Sequence, residues 1–258
     1  MAMSAIHTLF CGLAALVAAS VNAQTRPVML QSGEGQIALL ELYTSEGCSS
    51  CPPAETWLSR LRGVSGLWKD FVPLAFHVDY WDYLGWRDPW GSKEFSDRQR
   101  AYAAAWSRDS VYTPGFVLNG KEYGAWPEFN GGPESSGAKV GVLKVSSSDL
   151  SHWQVSFTPA AHGAAGYEVY AALLAGGLTS DVKAGENRGR RLNHDFVVTA
   201  LVRSPLRAER DNARGELILR RSPKERAGRL AIAVWVTRAG RLEPVQAVGG
   251  WLPEQGAD

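Results

Sequence analysis

Two thiols stand three positions apart in Glu41-Leu-Tyr-Thr-Ser-Glu-Gly-Cys48-Ser-Ser-Cys51-Pro-Pro-Ala. At this spacing a pair can close a disulfide on itself and open it again by exchange with a third thiol. A structural staple explains the pair less well, because the stabilisation from a cross-link grows with the loop it closes, and this one encloses two residues. Zinc is the competing chemistry. It needs four ligands, and the histidines beyond the N-terminal segment (His77, His152, His162 and His194) show no paired spacing.

The elements that hold the thiols follow from periodicity. Ile37–Tyr43 reads as a buried strand, and Ala54, Trp57, Leu58 and Leu61 fall on one helical face, so the cysteines lie where a strand hands over to a helix. The free N–H groups and partial positive charge of a helix start stabilise a thiolate. Cys48, exposed at that start, is the expected attacking sulfur, and the deeper Cys51 the resolving one. Ser49 and Ser50 add hydroxyls, while Pro52 and Pro53 fall in the first turn, where a missing N–H costs least.

Other side chains suit this chemistry. Glu41, inside the apolar strand, is a candidate to take the Cys51 proton, the alternative being an edge-strand carboxylate that reaches water. His77 and Asp79 alternate at the end of a second strand, Val72–Val78. A strand-end histidine held by a hydrogen bond is the plainer reading; a copper-handling set of Cys48, Cys51 and His77, or a proton relay, is the alternative. Tyr80, Trp81, Tyr83, Trp86 and Trp90 crowd into eleven residues. They read equally as core filling and as a stacking platform beside the thiols, with Trp81 the candidate for substrate contact. Arg188, Arg190 and Arg191 read as a solvated basic turn.

Val111-Tyr-Thr113-Pro114-Gly-Phe-Val-Leu-Asn-Gly120 sets a Thr-Pro pair before an apolar strand that ends in an Asn-Gly turn signal. Together with the strand–CxxC–helix unit this resembles the thioredoxin superfamily. The strings ELYTSEGCSSCPPAETWL, LAFHVDYWDYLGWRDPWGSKEFSDRQRAYA and VYTPGFVLNG are similar to an exported bacterial thioredoxin-like family of unknown function, over roughly residues 36–126. The resemblance implies a thioredoxin-like fold and a redox disulfide between Cys48 and Cys51. It also implies that Pro114 is a cis-proline facing the sulfurs and that the Thr113 backbone pairs with the substrate. Ser-Ser replaces the usual Gly-Pro between the cysteines, so no redox direction carries over.

The chain has 258 residues, 45% hydrophobic and 21% charged, which fits one large or two modest globular domains. A net charge of +1 excludes a general nucleic-acid binder, which needs a basic excess. Residues 1–23 carry an apolar run, Leu9–Ala19, and a Val21-Asn22-Ala23 cleavage pattern, the marks of a signal peptide. The run falls short of the ~20 residues of a membrane span. A mature protein that is periplasmic or secreted, without a membrane span, is expected, and cleavage would remove Cys11.

The Gly/Ser/Pro-rich stretch Phe129–Ala138 reads as a linker. It divides an expected α/β thioredoxin-like domain with a helical, aromatic insertion (24–138) from a β-rich region (139–258). Strand and helix patterns alternate before it, Phe95–Trp106 being the second helix; after it come six short β-type runs. The expected fold is thus an α/β thioredoxin-like domain followed by a mainly antiparallel β-sandwich-like C-terminal region. No cofactor is expected, since there is no Gly-rich nucleotide fingerprint. The expected activity is thiol–disulfide exchange with protein or small-molecule thiols and disulfides, the alternatives being the copper module and a non-catalytic interaction domain.

Overall fold

After the short strand β1 (Val28–Gln31), β2 (Ala38–Thr44) is buried along its whole length, which is why its sequence runs apolar without alternation. The helix α1 (Pro52–Arg60), extended by one 3-10 turn at Leu61–Gly63, leads to β3 (Phe71–His77). β3 lies parallel to β2, in register from Ala38–Phe71 to Thr44–His77. The helix α2 (Lys93–Ala105) starts at Ser92, whose hydroxyl accepts the Glu94 N–H. β4 (Gly115–Leu118) then pairs antiparallel with the other edge of β2. It turns through Asn119 and Gly120, at φ of 49° and 81°, into β5 (Lys121–Glu122). The side chains of β2 alternate: Leu40 and Leu42 pack with Ala54, Trp57 and Leu58 of α1, whereas Leu39 and Tyr43 pack with Phe76 and with Phe95 and Tyr102 of α2.

The rest of the chain is strand. It comprises β6 (Gly141–Ser147), β7 (His152–Pro159), β8 (Tyr167–Gly176), the hairpin β9 (Leu178–Asp181) with β10 (Arg191–His194), β11 (Val197–Glu209), β12 (Asn212–Ile218), β13 (Arg229–Arg238) and β14 (Pro244–Trp251). This computed structural model describes residues 26–124, 131–161, 166–221 and 228–254. The leader assigned to 1–23 and the first two linker residues, Phe129 and Asn130, lie outside them.

Twelve strands form one mixed sheet, ordered β1-β6-β7-β12-β11-β3-β2-β4-β5, with β8, β13 and β14 branching from β11. The long β11 is the junction. Arg207–Glu209 pair with β12, Val197–Leu206 pair with β8, and Val197 also pairs in parallel with Ala75 of β3. The expected α/β thioredoxin-like domain followed by a β-sandwich-like region is therefore not the architecture. The chain is mainly β, and α1 and α2 are the only α-helices among the described residues. Periodicity reports local conformation, whereas sheet neighbours are chosen by pairing across the chain, here over 197 − 75 = 122 positions.

The core shows the same joining. Leu39, Tyr43 and Phe76 share one apolar cluster with Tyr170, Ala172, Ala233 and Trp235. Arg98 of α2 is buried at its centre, with its guanidinium 5.3–5.6 Å from the ring centres of Phe76, Tyr102, Tyr170 and Trp235.

Candidate functional site

The seven residues between β2 and α1 carry the two sulfurs. Cys48 and Cys51 are joined as a disulfide, with their Cα atoms 5.5 Å apart. Cys51 is the N-cap of α1, and Pro52 and Pro53 follow it. The first turn's next two amides, of Ala54 and Glu55, both donate to the Cys51 carbonyl, at 2.9 and 3.1 Å. The helix therefore offers the sulfurs the positive end of its dipole but directs these amides elsewhere. The polar neighbours of Cys48 Sγ are the Ser50 hydroxyl at 3.3 Å and the Thr113 carbonyl at 3.7 Å. The Ser50 O–H can donate to a thiolate, and the carbonyl can accept from a thiol once the disulfide is reduced. The Thr113–Pro114 peptide is cis.

Cys48 is not exposed as expected. It is 1% accessible and Cys51 is fully buried, while Ser49 and Ser50 face solvent. The cover comes from the loop between β9 and β10. The buried Asn187 donates its side-chain N–H groups to the carbonyls of Glu46 and Cys48, at 2.8 and 2.9 Å, and Glu186 accepts the Ser49 N–H at 2.8 Å. Arg190 in turn donates to Asn187 Oδ1 at 2.7 Å. The basic loop thus contains a positioning contact at Arg190, although Arg188, Arg190 and Arg191 are all exposed. Trp81 closes another side. A Cβ on Gly47 would stand 2.8 Å from the Trp81 Cβ, so glycine permits this approach.

Glu41 is turned away from the cysteines. It shares a strand face with Leu39 and Tyr43, the α2 side, while α1 and Cys51 lie across the sheet. Arg98 donates to both its oxygens, at 2.8 and 3.0 Å, and the hydroxyls of Tyr43 and Tyr102 donate at 2.9 and 2.6 Å. Burial works against the Arg98 charge, but Glu41 beside it holds that pKa well above the usual value. The carboxylate is engaged on every side in a structural ion pair.

The acid–base groups nearest the thiol loop are others. His77 Nδ1 pairs with Asp88 at 2.8 Å, and Asp88 also accepts the Glu46 and Trp90 N–H groups. His194 bonds Glu46 through Nε2 at 3.0 Å and Glu55 through Nδ1. The His77 and His194 rings meet edge to face, 5.1 Å apart. Burial disfavours a charge on His194, yet Glu55 and Glu46 outweigh it and lift its pKa to about 10. Glu55 is pushed up by burial but held below its usual range by His194. Asp88 and His77 shift likewise, Asp88 down and His77 up, each against its own burial and through the other's charge.

The set Cys48, Cys51 and His77 is not assembled. Instead, donor atoms of Glu55, His77 and His194 lie within 4.8 Å of one another, the one such group among the described residues. Asp79 does not pair with His77 either; it accepts the Ser96 hydroxyl at the start of α2. Glu55 had a readable signal, four residues after Cys51 on the buried side of a helix. His194 had none, because nothing local ties position 194 to position 55.

Residues 39–237 match the family described as Protein of unknown function (DUF1223). The chain belongs to that family. No curated protein matches it. Among solved structures it is similar to protein AGR_C_4864 from Agrobacterium tumefaciens, 25% identical, with a TM-score of 0.55 over 88% of this chain and 98% of that one. It is also similar in fold to HBP35 of Porphyromonas gingivalis, 11% identical, with a TM-score of 0.53 over 88% and 81% of the two chains.

In this DUF1223 chain the aromatic run divides its labour. Trp81 donates its indole N–H to Thr113 Oγ1 at 2.8 Å and stacks on Tyr83, which is 77% exposed. Trp86 donates to Glu46 at 2.7 Å, Tyr80 donates to Gln99, and Trp90 packs against Ala175, Leu178 and Val197. Two of the five therefore form a surface beside Thr113, and the other three hold loops and core in place.

Proposed function

We propose that this chain is an exported thiol–disulfide oxidoreductase, working in the periplasm or outside the cell on protein or small-molecule thiols and disulfides. One observation carries the reading: a disulfide that closes a two-residue loop at a helix start, with a carbonyl and a hydroxyl from Thr113 and Ser50 against the leading sulfur. Such a bridge constrains the unfolded chain little, so stability is a weak reason for it. Exported compartments are where a disulfide persists. In the reduced chain the Cys48 thiolate attacks a substrate disulfide, the Cys48–substrate bond forms and one substrate thiolate leaves. Cys51 then attacks Cys48, restoring the internal disulfide and releasing the second substrate thiolate. The reverse sequence oxidises a dithiol. Because both sulfurs are buried, exchange follows a local opening of the loop that carries Glu186 and Asn187. Trp81 and Tyr83, beside Thr113, are the surface offered to the incoming chain.

A redox titration against a dithiol buffer tests this. A potential between about −120 and −270 mV is expected for an exchanging pair, whereas a bridge that resists reduction below about −300 mV would leave an inert disulfide in a non-catalytic interaction domain.

A further inference from the structure

The buried cluster behind the thiol loop is a stronger site than its sequence spacing suggests. We propose that Glu55, His77 and His194 bind one divalent first-row transition-metal ion. The inference is independent of the redox reading, since neither sulfur is a ligand.

Three observations carry it. The first is geometric: one donor atom from each residue, two imidazole nitrogens and a carboxylate oxygen, lies within 4.8 Å of the others. Three ligands on one ion at ~2.1 Å stand roughly 3.4–3.6 Å apart, so shifts of about an ångström, with His194 Nδ1 and the Glu55 carboxylate parting to admit the ion, bring the set into coordination. The second is an orphan: His77 Nε2 is fully buried and has no hydrogen-bond partner among the described residues. A buried polar atom left so is destabilising, because its lost hydration is not replaced. A metal takes up its lone pair.

The third observation is the outer ring. Asp88 holds His77 Nδ1 at 2.8 Å, which directs the lone pair of Nε2 into the cluster. Glu46 holds His194 Nε2 at 3.0 Å and leaves Nδ1 facing Glu55. Thr44 donates to Glu55 Oε1 at 2.5 Å and leaves Oε2 toward His194. Each of the three ligands thus has its own partner behind it, and carboxylate behind histidine is the arrangement that orients and strengthens imidazole ligands. Charge agrees: Glu46, Glu55 and Asp88 bring three buried carboxylates to two imidazoles. Two nitrogens and one oxygen suit zinc or iron in preference to calcium or magnesium.

The experiment uses the whole chain, disulfide intact, stripped with a chelator and titrated with Co²⁺ and then Zn²⁺. One equivalent of Co²⁺ should give the intense visible bands of a four- or five-coordinate site without a thiolate charge-transfer band, and one equivalent of Zn²⁺ should displace it. In the same sample, the paramagnetic ion should shift the imidazole NMR signals of His77 and His194 and leave His152 in place. His77→Gln should weaken binding at least 100-fold, and Asp88→Asn roughly 10- to 100-fold. Absence of stoichiometric binding at ~10 µM metal would overturn the proposal, since a built site binds far more tightly than this. A hydrated six-coordinate spectrum, shifts confined to other residues, or full binding by a folded His77→Gln chain would overturn it equally. The spectra and shifts need only the native chain, so a misfolded variant does not spoil the test.

Discussion

Asn187→Ala should unlock the disulfide while leaving its chemistry intact. The native amide makes two hydrogen bonds to carbonyls of the thiol loop, at Glu46 and Cys48, and is itself fully buried. A hydrogen bond of this kind contributes about 1 kcal/mol net, so losing two costs the closed loop about 2 kcal/mol, a rise of roughly 30-fold in the open population. Where reclosing is faster than reaction, the rate at a buried group follows that population. Reduction of the disulfide by dithiothreitol under pseudo-first-order conditions should therefore accelerate about 30-fold in the variant. Urea unfolding of both proteins separates this local opening from global destabilisation. Glu186→Gln, which weakens a solvent-exposed contact to the Ser49 N–H, should give a smaller change. If a folded Asn187→Ala chain is reduced within about threefold of the native rate, the loop between β9 and β10 does not control access and the reasoning fails.

Other tests follow from the same contacts. In the reduced chain a small alkylating agent should label Cys48 ahead of Cys51, because Cys48 adjoins the exposed Ser49 and Ser50; mass spectrometry showing Cys51 modified first would reverse the assigned roles. Arg98→Ala should cost about 3–5 kcal/mol in urea unfolding by stranding the Glu41 carboxylate, and Glu41→Gln added to it should recover part of the loss; a strictly additive double variant would show that the pair is not coupled. A fragment ending near Gly137 should lack a cooperative transition, since it loses Tyr170 and Trp235 from the cluster around Arg98, and a sharp calorimetric peak from that fragment would show the boundary to divide two folding units. Asp149 accepts backbone N–H groups of His152 and Ser151 and the His152 ring, which hold its carboxyl well below the usual 3.8. Its contribution is present above that value and lost as pH falls through the depressed one, so the stability gap between native and Asp149→Asn chains should close on acidification; a gap constant down to strongly acidic pH would contradict the assignment.

How much of this molecule is legible in its sequence depends on how far apart the interacting residues lie. Neighbours along the chain settle backbone conformation, and there the reading is direct. The unbroken apolar run gives β2, the Ala54–Trp57–Leu58 face gives α1, and Asn119-Gly120 gives the turn into β5, each within a residue or two. The cysteine pair at the strand–helix junction is equally local. Glu41 is an intermediate case. Alternation dictates that it shares a face with Leu39 and Tyr43, but only packing decides that α2 covers this face and α1 the other, so its partner is Arg98 and not a thiol.

The rest was settled by chain closure. β11 takes the free edge of β3 and turns an expected α/β unit into part of a mainly β sheet, and Asn187 returns to cover Cys48 from 187 − 48 = 139 positions away. His194 meets Glu55 across the same 194 − 55 = 139 positions. No periodicity encodes such meetings, because they depend on which surfaces remain unpaired once the local elements have formed. The sequence alone determined the two sulfurs and the elements that flank them; the tertiary structure decided what buries them and which acids and histidines gather behind.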